Sequence, residues 1–123
     1  MPYDEAWLRD VLARGDVRLV DGSAPPAPPA ITEAAFQAAV RRVAKGYGWS
    51  VMHVHDSRRS PAGFPDLICV RDHVCLAWEL KSADGIVTLQ QAHWLRLLSA
   101  VTQVEAGVYR PEAMAQMVER LRG

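Results

Sequence analysis

The chain has 123 residues, 50% of them hydrophobic, so it is long enough for one compact domain with a buried core. Its 14 basic and 14 acidic side chains balance, which excludes the strong global positive field that many nucleic-acid-binding proteins carry. No apolar run approaches the ~18 residues that a membrane span needs, so we expect a soluble, cytoplasmic protein with no membrane partner.

The first 30 residues are predicted to lie outside the main domain. Residues 1–22 carry apolar side chains at helical spacing, which predicts an amphipathic helical extension. Residues 23–30, SAPPAPPA, contain four prolines and favour a stiff, extended linker, although such a run would also suit docking to a partner. The domain boundary therefore falls before Ile31, and residues 31–123 form one domain.

Residues 31–123 alternate between helical and strand patterns. Thr32 is a candidate N-cap of a first helix, and Pro111 is predicted to open the last one. Strand patterns occupy WSVMHVH, both sides of Asp72–His73, and TQVEAGVYR. The predicted inward faces of the three helices are Phe36, Val40, Val43, Tyr47, then Gln91, Trp94, Leu95, Leu98, then Met114, Met117, Val118, Leu121. The order α-β-β-β-α-β-α predicts an α/β (α+β) fold with a mixed central sheet flanked by helices.

Three charged residues interrupt the apolar strands of GFPDLICVRDHVCLAWELK. If the hairpin turns at Asp72–His73, opposed residues have numbers that sum to 145, so Asp66 faces Glu79 and Lys81 points the same way. Like charges directly opposed in a sheet are destabilising. A hard divalent cation such as Mg²⁺ would offset the repulsion. A structural ion pair between Lys81 and one acid is the alternative.

The residues around these charges resemble a nuclease family. The segments Gly63-Phe64-Pro65-Asp66-Leu67 and Trp78-Glu79-Leu80-Lys81, followed by Thr88, Gln91 and Trp94, are similar to the PD-(D/E)XK superfamily and, within it, to the VRR-NUC domain. The similarity runs from about residue 32 to residue 121. It implies a restriction-endonuclease-like fold for most of the chain but not for the N-terminal extension and linker.

The resemblance also implies roles at the acidic pair. Asp66 and Glu79 look like metal ligands that also serve catalysis, with the backbone carbonyl of Leu80 as a further ligand. Lys81 looks like the catalytic lysine that positions or activates the attacking water. The implied cofactor is Mg²⁺, for which Mn²⁺ is expected to substitute.

Two residues keep alternative interpretations. Gln91 matches a catalytic glutamine on the helix after the second strand of the hairpin, or it is a buried, hydrogen-bonded glutamine. Glu33 resembles an acid on the first helix that reaches the metal, or it simply stabilises the positive end of the helix dipole. The two cysteines, Cys69 and Cys75, are predicted to be buried thiols rather than a disulfide.

A polar loop before the motif suggests how phosphate could be bound. Ser57, Arg58 and Arg59 are predicted to contact DNA, because arginine can grip phosphate oxygens in a forked geometry, although solvated loop arginines are also common.

The implied function is a Mg²⁺-dependent endonuclease that acts as a homodimer on branched DNA, a Holliday junction or a flap, inside a bacterial host cell if a phage encodes it. A catalytically silent DNA-binding subunit, or an adaptor, is the alternative.

Overall fold

A computed structural model describes residues 31–54 and 61–123. The predicted extension and linker, residues 1–30, lie outside the described residues. These two ranges contain three α-helices and four strands in the predicted order, with one 3₁₀ turn before the last helix: α1 (Glu33–Gly46), β1 (Ser50–His53), β2 (Leu67–Arg71), β3 (Val74–Leu80), α2 (Leu89–Ser99), β4 (Val104–Tyr109), the 3₁₀ turn (Pro111–Ala113) and α3 (Met114–Arg122).

The four strands form one mixed sheet in the order β1-β2-β3-β4. The first two pairings are antiparallel and the third, between β3 and β4, is parallel. The turn between β2 and β3 lies at the predicted place, since Arg71 pairs with Val74. Asp72 adopts a left-handed φ of 55° there, a conformation that aspartate tolerates better than most residues. The predicted mixed sheet flanked by helices is thus confirmed.

The hydrophobic core lies on one face of the sheet. The strands contribute alternate residues to it, as a period of two requires, and α1 and α3 cover them. The predicted inward faces of both helices are confirmed, with Phe36 and Leu121 fully buried. Thr32 caps α1 as predicted, because its hydroxyl accepts a hydrogen bond from the Ala35 N–H at 3.1 Å.

Helix α2 lies on the opposite face of the sheet. The four residues predicted to face inward are its half-buried ones, although none is fully buried (Gln91, Trp94, Leu95, Leu98). This face therefore carries a thinner layer of side chains than the core face. Polar and charged groups on β3 can lie beneath α2 without entering the main core.

Two expectations need correction. Pro111 opens a 3₁₀ turn, and the last α-helix begins only at Met114. The two cysteines are free thiols as predicted, but only Cys69 is buried, whereas Cys75 lies on the thinner face and is half-buried. Within the described ranges, no helix is long and apolar enough to cross a membrane.

Candidate active site

The two acids of the hairpin meet where β2 and β3 end. Leu67 pairs with Trp78, so the next position outward brings Asp66 opposite Glu79, in the register predicted from the sequence. The Asp66 N–H donates to Glu79 Oε2 at 3.3 Å. The Leu80 N–H donates to Asp66 Oδ2 at 3.2 Å. Each carboxylate is therefore held by the main chain of the other strand.

Glu79 is the one charged residue among the fully buried residues of the described chain, with 1% of its surface exposed. Burial raises the pKa of Glu79 to about 8, and the neighbouring Asp66 carboxylate pushes it the same way. The ammonium of Lys81 opposes both effects only in part. Without a further positive charge, the protonated form of Glu79 is therefore favoured at neutral pH.

Lys81 and Gln91 approach the same oxygen of Glu79. The Lys81 ammonium lies 3.7 Å from Glu79 Oε1, on the predicted face of the sheet. Gln91 Nε2 donates to that oxygen at 2.8 Å. Gln91 Oε1 accepts the Thr88 N–H at 2.9 Å, as part of the capping box that starts α2. One amide thus joins the N-terminus of α2 to the acidic pair.

The segment before Asp66 is packed against α2. Gly63 has a φ of +85°, and a Cβ there would lie 2.4 Å from the carbonyl carbon of Gln90. The ring of Phe64 meets that of Trp94 edge-on, with centroids 5.2 Å apart. Sequence reasoning identified the motif but not this contact. The Gly-Phe pair just before Asp66 was the available signal, since a glycine often marks a close backbone approach.

The segment after Lys81 is held by an arginine that sequence reasoning missed. Arg110 Nη1 donates to the carbonyls of Ser82 and Gly85, each at 2.7 Å. These carbonyls belong to the loop that leads from Lys81 to α2. A single arginine after a strand resembles any solvated surface arginine, so no sequence signal distinguished this one.

The oxygen atoms at this edge suit a hard divalent cation. Carboxylate and carbonyl oxygens are the ligands that Mg²⁺ prefers, and Mg²⁺ often uses only one or two carboxylates together with waters. Asp66 and Glu79 supply the carboxylates, and the Leu80 carbonyl lies at the same strand end. In the described part of the chain, no group of three or more His, Cys, Asp or Glu side chains could hold a metal ion.

Glu33 does not form a group of three acids with Asp66 and Glu79 among the described residues. It is exposed at the first residue of α1, and α1 packs on the other face of the sheet. The predicted DNA contacts Ser57, Arg58 and Arg59 lie outside the described residues. The structure thus brings together Asp66, Glu79, Lys81 and Gln91.

No family model matches the chain, and no curated protein or solved structure is significantly similar to it.

Proposed function

We propose that the chain is a divalent-metal-dependent endonuclease that hydrolyses phosphodiester bonds of DNA. One observation carries the proposal: a buried carboxyl group, Glu79, faces a second acid, Asp66, with an ammonium 3.7 Å away. Such a pair is costly for a purely structural contact, because burial and like charge both oppose ionisation. Strongly perturbed pKa values cluster at functional sites, which supports a role in chemistry for this carboxyl group.

The residues of the chain then have separate tasks. Asp66, Glu79 and the Leu80 carbonyl hold Mg²⁺, or Mn²⁺ in its place. A bound divalent cation supplies Lewis-acid stabilisation of the negative charge that develops on the phosphate. Lys81 positions the attacking water and adds a second positive charge near the phosphate oxygens. Gln91 fixes the orientation of the Glu79 carboxylate through its 2.8 Å hydrogen bond.

The proposed substrate is branched DNA, a Holliday junction or a flap. The resemblance to VRR-NUC domains supports this choice. A homodimer would place two such sites on opposed strands of a junction. We place the protein in the cytoplasm, that of a bacterial host if a phage encodes it.

A specific observation favours a second candidate, a nuclease-fold DNA-binding subunit without activity. Both carboxylates already accept main-chain N–H groups, and a Glu79 pKa of about 8 allows the pair to share a proton instead of a cation. In that case the site would be stable without metal. The two candidates differ in whether magnesium supports cleavage.

The test is cleavage of a four-way junction, a flap and a linear duplex in Mg²⁺. We expect the chain to cut branched DNA, and Glu79→Gln and Lys81→Ala to lower the rate roughly 100-fold or more, as loss of a group acting in the transition state does. Glu119→Gln and Lys45→Ala are matched controls, because both residues are exposed and lie on helices of the core face. Binding of the junction without magnesium-dependent cutting would favour the silent subunit.

A further inference from the structure

Arg110 is a half-buried cation that follows β4 at the edge of the candidate site. The last residues of the parallel strands β3 and β4 pair with each other, so Lys81 and Arg110, which follow them directly, leave the sheet at the same end. The Gly85 carbonyl accepts from Arg110 Nη1 at 2.7 Å, and a Cβ at Gly85 would lie 3.3 Å from Lys81 Cδ. Gly85 therefore lies next to both side chains.

The guanidinium of Arg110 uses only part of its donors. Nη1 carries two hydrogens, and the carbonyls of Ser82 and Gly85 accept from it, each at 2.7 Å. Within residues 31–54 and 61–123, no group accepts from Nε or Nη2 of this arginine. Neither atom is buried, since the indole nitrogen of Trp78 is the one buried side-chain nitrogen or oxygen without a partner in these ranges. The edge formed by Nε and Nη2 is therefore open to a ligand from solvent.

Arg120 shows what this edge binds elsewhere in the same chain. Its Nε and Nη2 donate to the two carboxylate oxygens of Glu105. Phosphate offers a similar pair of acceptor oxygens, and a forked guanidinium binds both groups in this geometry. Arg110 takes part in none of the ion pairs of the described chain, so its charge has no carboxylate partner there.

We propose that Arg110 is a substrate-binding residue whose Nε–Nη2 edge grips a backbone phosphate of the DNA strand in the candidate site. The inference rests on the proposed function, because it names a contact with the proposed substrate. The bonds of Nη1 to the loop hold the guanidinium in place before DNA arrives, so less side-chain entropy is lost on binding. The contact is to the DNA backbone and is therefore independent of base sequence.

The test measures how DNA binding depends on salt. A labelled four-way junction is titrated with the protein at several NaCl concentrations, in EDTA so that no cleavage occurs. We expect Arg110→Gln to bind about 10-fold more weakly, as loss of a charged hydrogen-bonded pair does. The slope of log K against log salt should become shallower by about 0.9, the change for one lost phosphate contact. A role confined to holding the loop would lower the cleavage rate through Lys81 and leave this slope unchanged.

Two further variants separate the forked contact from charge alone. Arg120→Gln is the matched control, because it removes the same charge from an edge that Glu105 already occupies. Its affinity and slope should stay as in the unchanged chain. Arg110→Lys keeps the charge but has no forked edge, so we expect it to recover little of the lost affinity. Full affinity in Arg110→Lys would overturn the forked contact.

A readout on the unchanged chain decides the matter even if the Arg110 variants unfold. In labelled protein, the NMR signal of the Arg110 Nε–H should shift when a short DNA duplex is added. The Arg120 Nε–H, which already donates to Glu105, should shift much less. An unshifted Arg110 signal in DNA-saturated protein would overturn the proposal.

The outcomes separate this inference from the proposed function. An unchanged salt slope in folded Arg110→Gln would overturn the phosphate contact and leave the nuclease proposal standing. The expected change of slope without any Mg²⁺-dependent cutting would support the contact and overturn the nuclease proposal. Failure of the unchanged chain to bind DNA would overturn both.

Discussion

Glu79 is a carboxyl group placed where ionisation is unfavourable. It is almost fully buried and faces Asp66, and its Oε1 accepts a hydrogen bond from the Gln91 amide and lies 3.7 Å from the Lys81 ammonium. Its pKa of about 8 means that the native protein holds a proton on Glu79 that the unfolded chain, with a pKa near 4.5, releases at neutral pH. The stability of the protein is therefore linked to pH through this residue.

The sign of that linkage gives a prediction. Because the native pKa is raised, the stability that Glu79 contributes is fully present below about pH 4.5 and is lost as pH rises through about 8. Between these values the free energy of unfolding should fall by up to about 1.4 kcal/mol per pH unit from this group. We expect Glu79→Gln, which mimics the protonated form, to remove most of this slope in urea unfolding of metal-free protein between pH 5 and 8.5.

The control keeps the charge change but moves it to the surface. Glu119→Gln removes an exposed carboxylate that pairs with Arg122 of the same helix, so the slope should stay as in the unchanged chain. The pH range ends at 8.5 because burial raises the pKa of Cys69 to about 11, which adds its own dependence at higher pH. Equal slopes in Glu79→Gln and the unchanged chain would show that Glu79 titrates normally.

At the scale of elements, the site depends on two loops that fix α2 against the sheet. The segment before β2 meets the first turn of α2 through Gly63 and through the Phe64–Trp94 ring contact. The segment after β3 is held by Arg110. Gln91 then joins the start of α2 to Glu79. The acidic pair and the helix are thus positioned as one unit.

Gly63 offers a direct test of this contact. Gly63→Ala would place a methyl group 2.4 Å from the backbone of α2 and would also require a residue with a side chain at a φ of +85°. We expect the free energy of unfolding to fall by about 2–3 kcal/mol or more, measured in urea. The added methyl group should also displace the first turn of α2 and move Gln91 away from Glu79. Mn²⁺ binding should therefore weaken.

Gly48→Ala isolates the backbone effect. Gly48 has nearly the same φ, +87°, but nothing lies within 4 Å of its added Cβ. This variant should lose only about 1–2 kcal/mol, the cost of the left-handed conformation, and should bind Mn²⁺ normally. Equal losses in the two variants would mean that the loop before Asp66 moves away from α2 without cost.

At the scale of the whole molecule, the sheet separates stability from the candidate chemistry. One face carries the core under α1 and α3, and the other carries Glu79 beneath α2, which contributes Gln91. The C-terminal ends of α1 and α3 meet at Arg71, which donates to the Tyr47 carbonyl at 3.0 Å and the Leu121 carbonyl at 2.9 Å. Its guanidinium also lies 4.3 Å from the ring centroid of Trp49. Arg71 therefore stabilises the core layer at the turn end of the hairpin, whereas the acidic pair lies at the opposite end.

Because the core and the acidic pair lie on opposite faces of the sheet, a substitution in the core layer should lower stability without changing metal binding. Arg71→Met should lower the free energy of unfolding by about 2 kcal/mol, because two charged hydrogen bonds and a cation–π contact are lost. Mn²⁺ affinity should stay unchanged under conditions where the variant is folded. Arg42→Met, an exposed residue of α1, serves as the control and should leave both quantities unchanged. A loss of Mn²⁺ affinity in folded Arg71→Met would show that the two faces are coupled.

Local patterns were sufficient for much of this molecule. The periods of 3.6 and 2 residues predicted the element order and the inward faces, because each helix and strand must bury one face. The length of the β2–β3 turn predicted the register, and the register alone brought Asp66 opposite Glu79. The roles of these residues in binding a cation and cutting DNA stay predictions.

Tertiary structure decided what depends on residues distant in the chain. Whether Glu33 joins the acidic pair depends on which face of the sheet α1 covers, and periodicity gives no information about that face. The bonds of Arg110 and the approach of Gly63 to Gln90 likewise join segments that only packing brings together. The sequence by itself determined the elements and the pairing across the hairpin, because both follow from neighbouring residues. Only the packed structure determined the burial of Glu79 and hence its raised pKa. The carboxyl group loses contact with water only when the strands and helices around it have packed together.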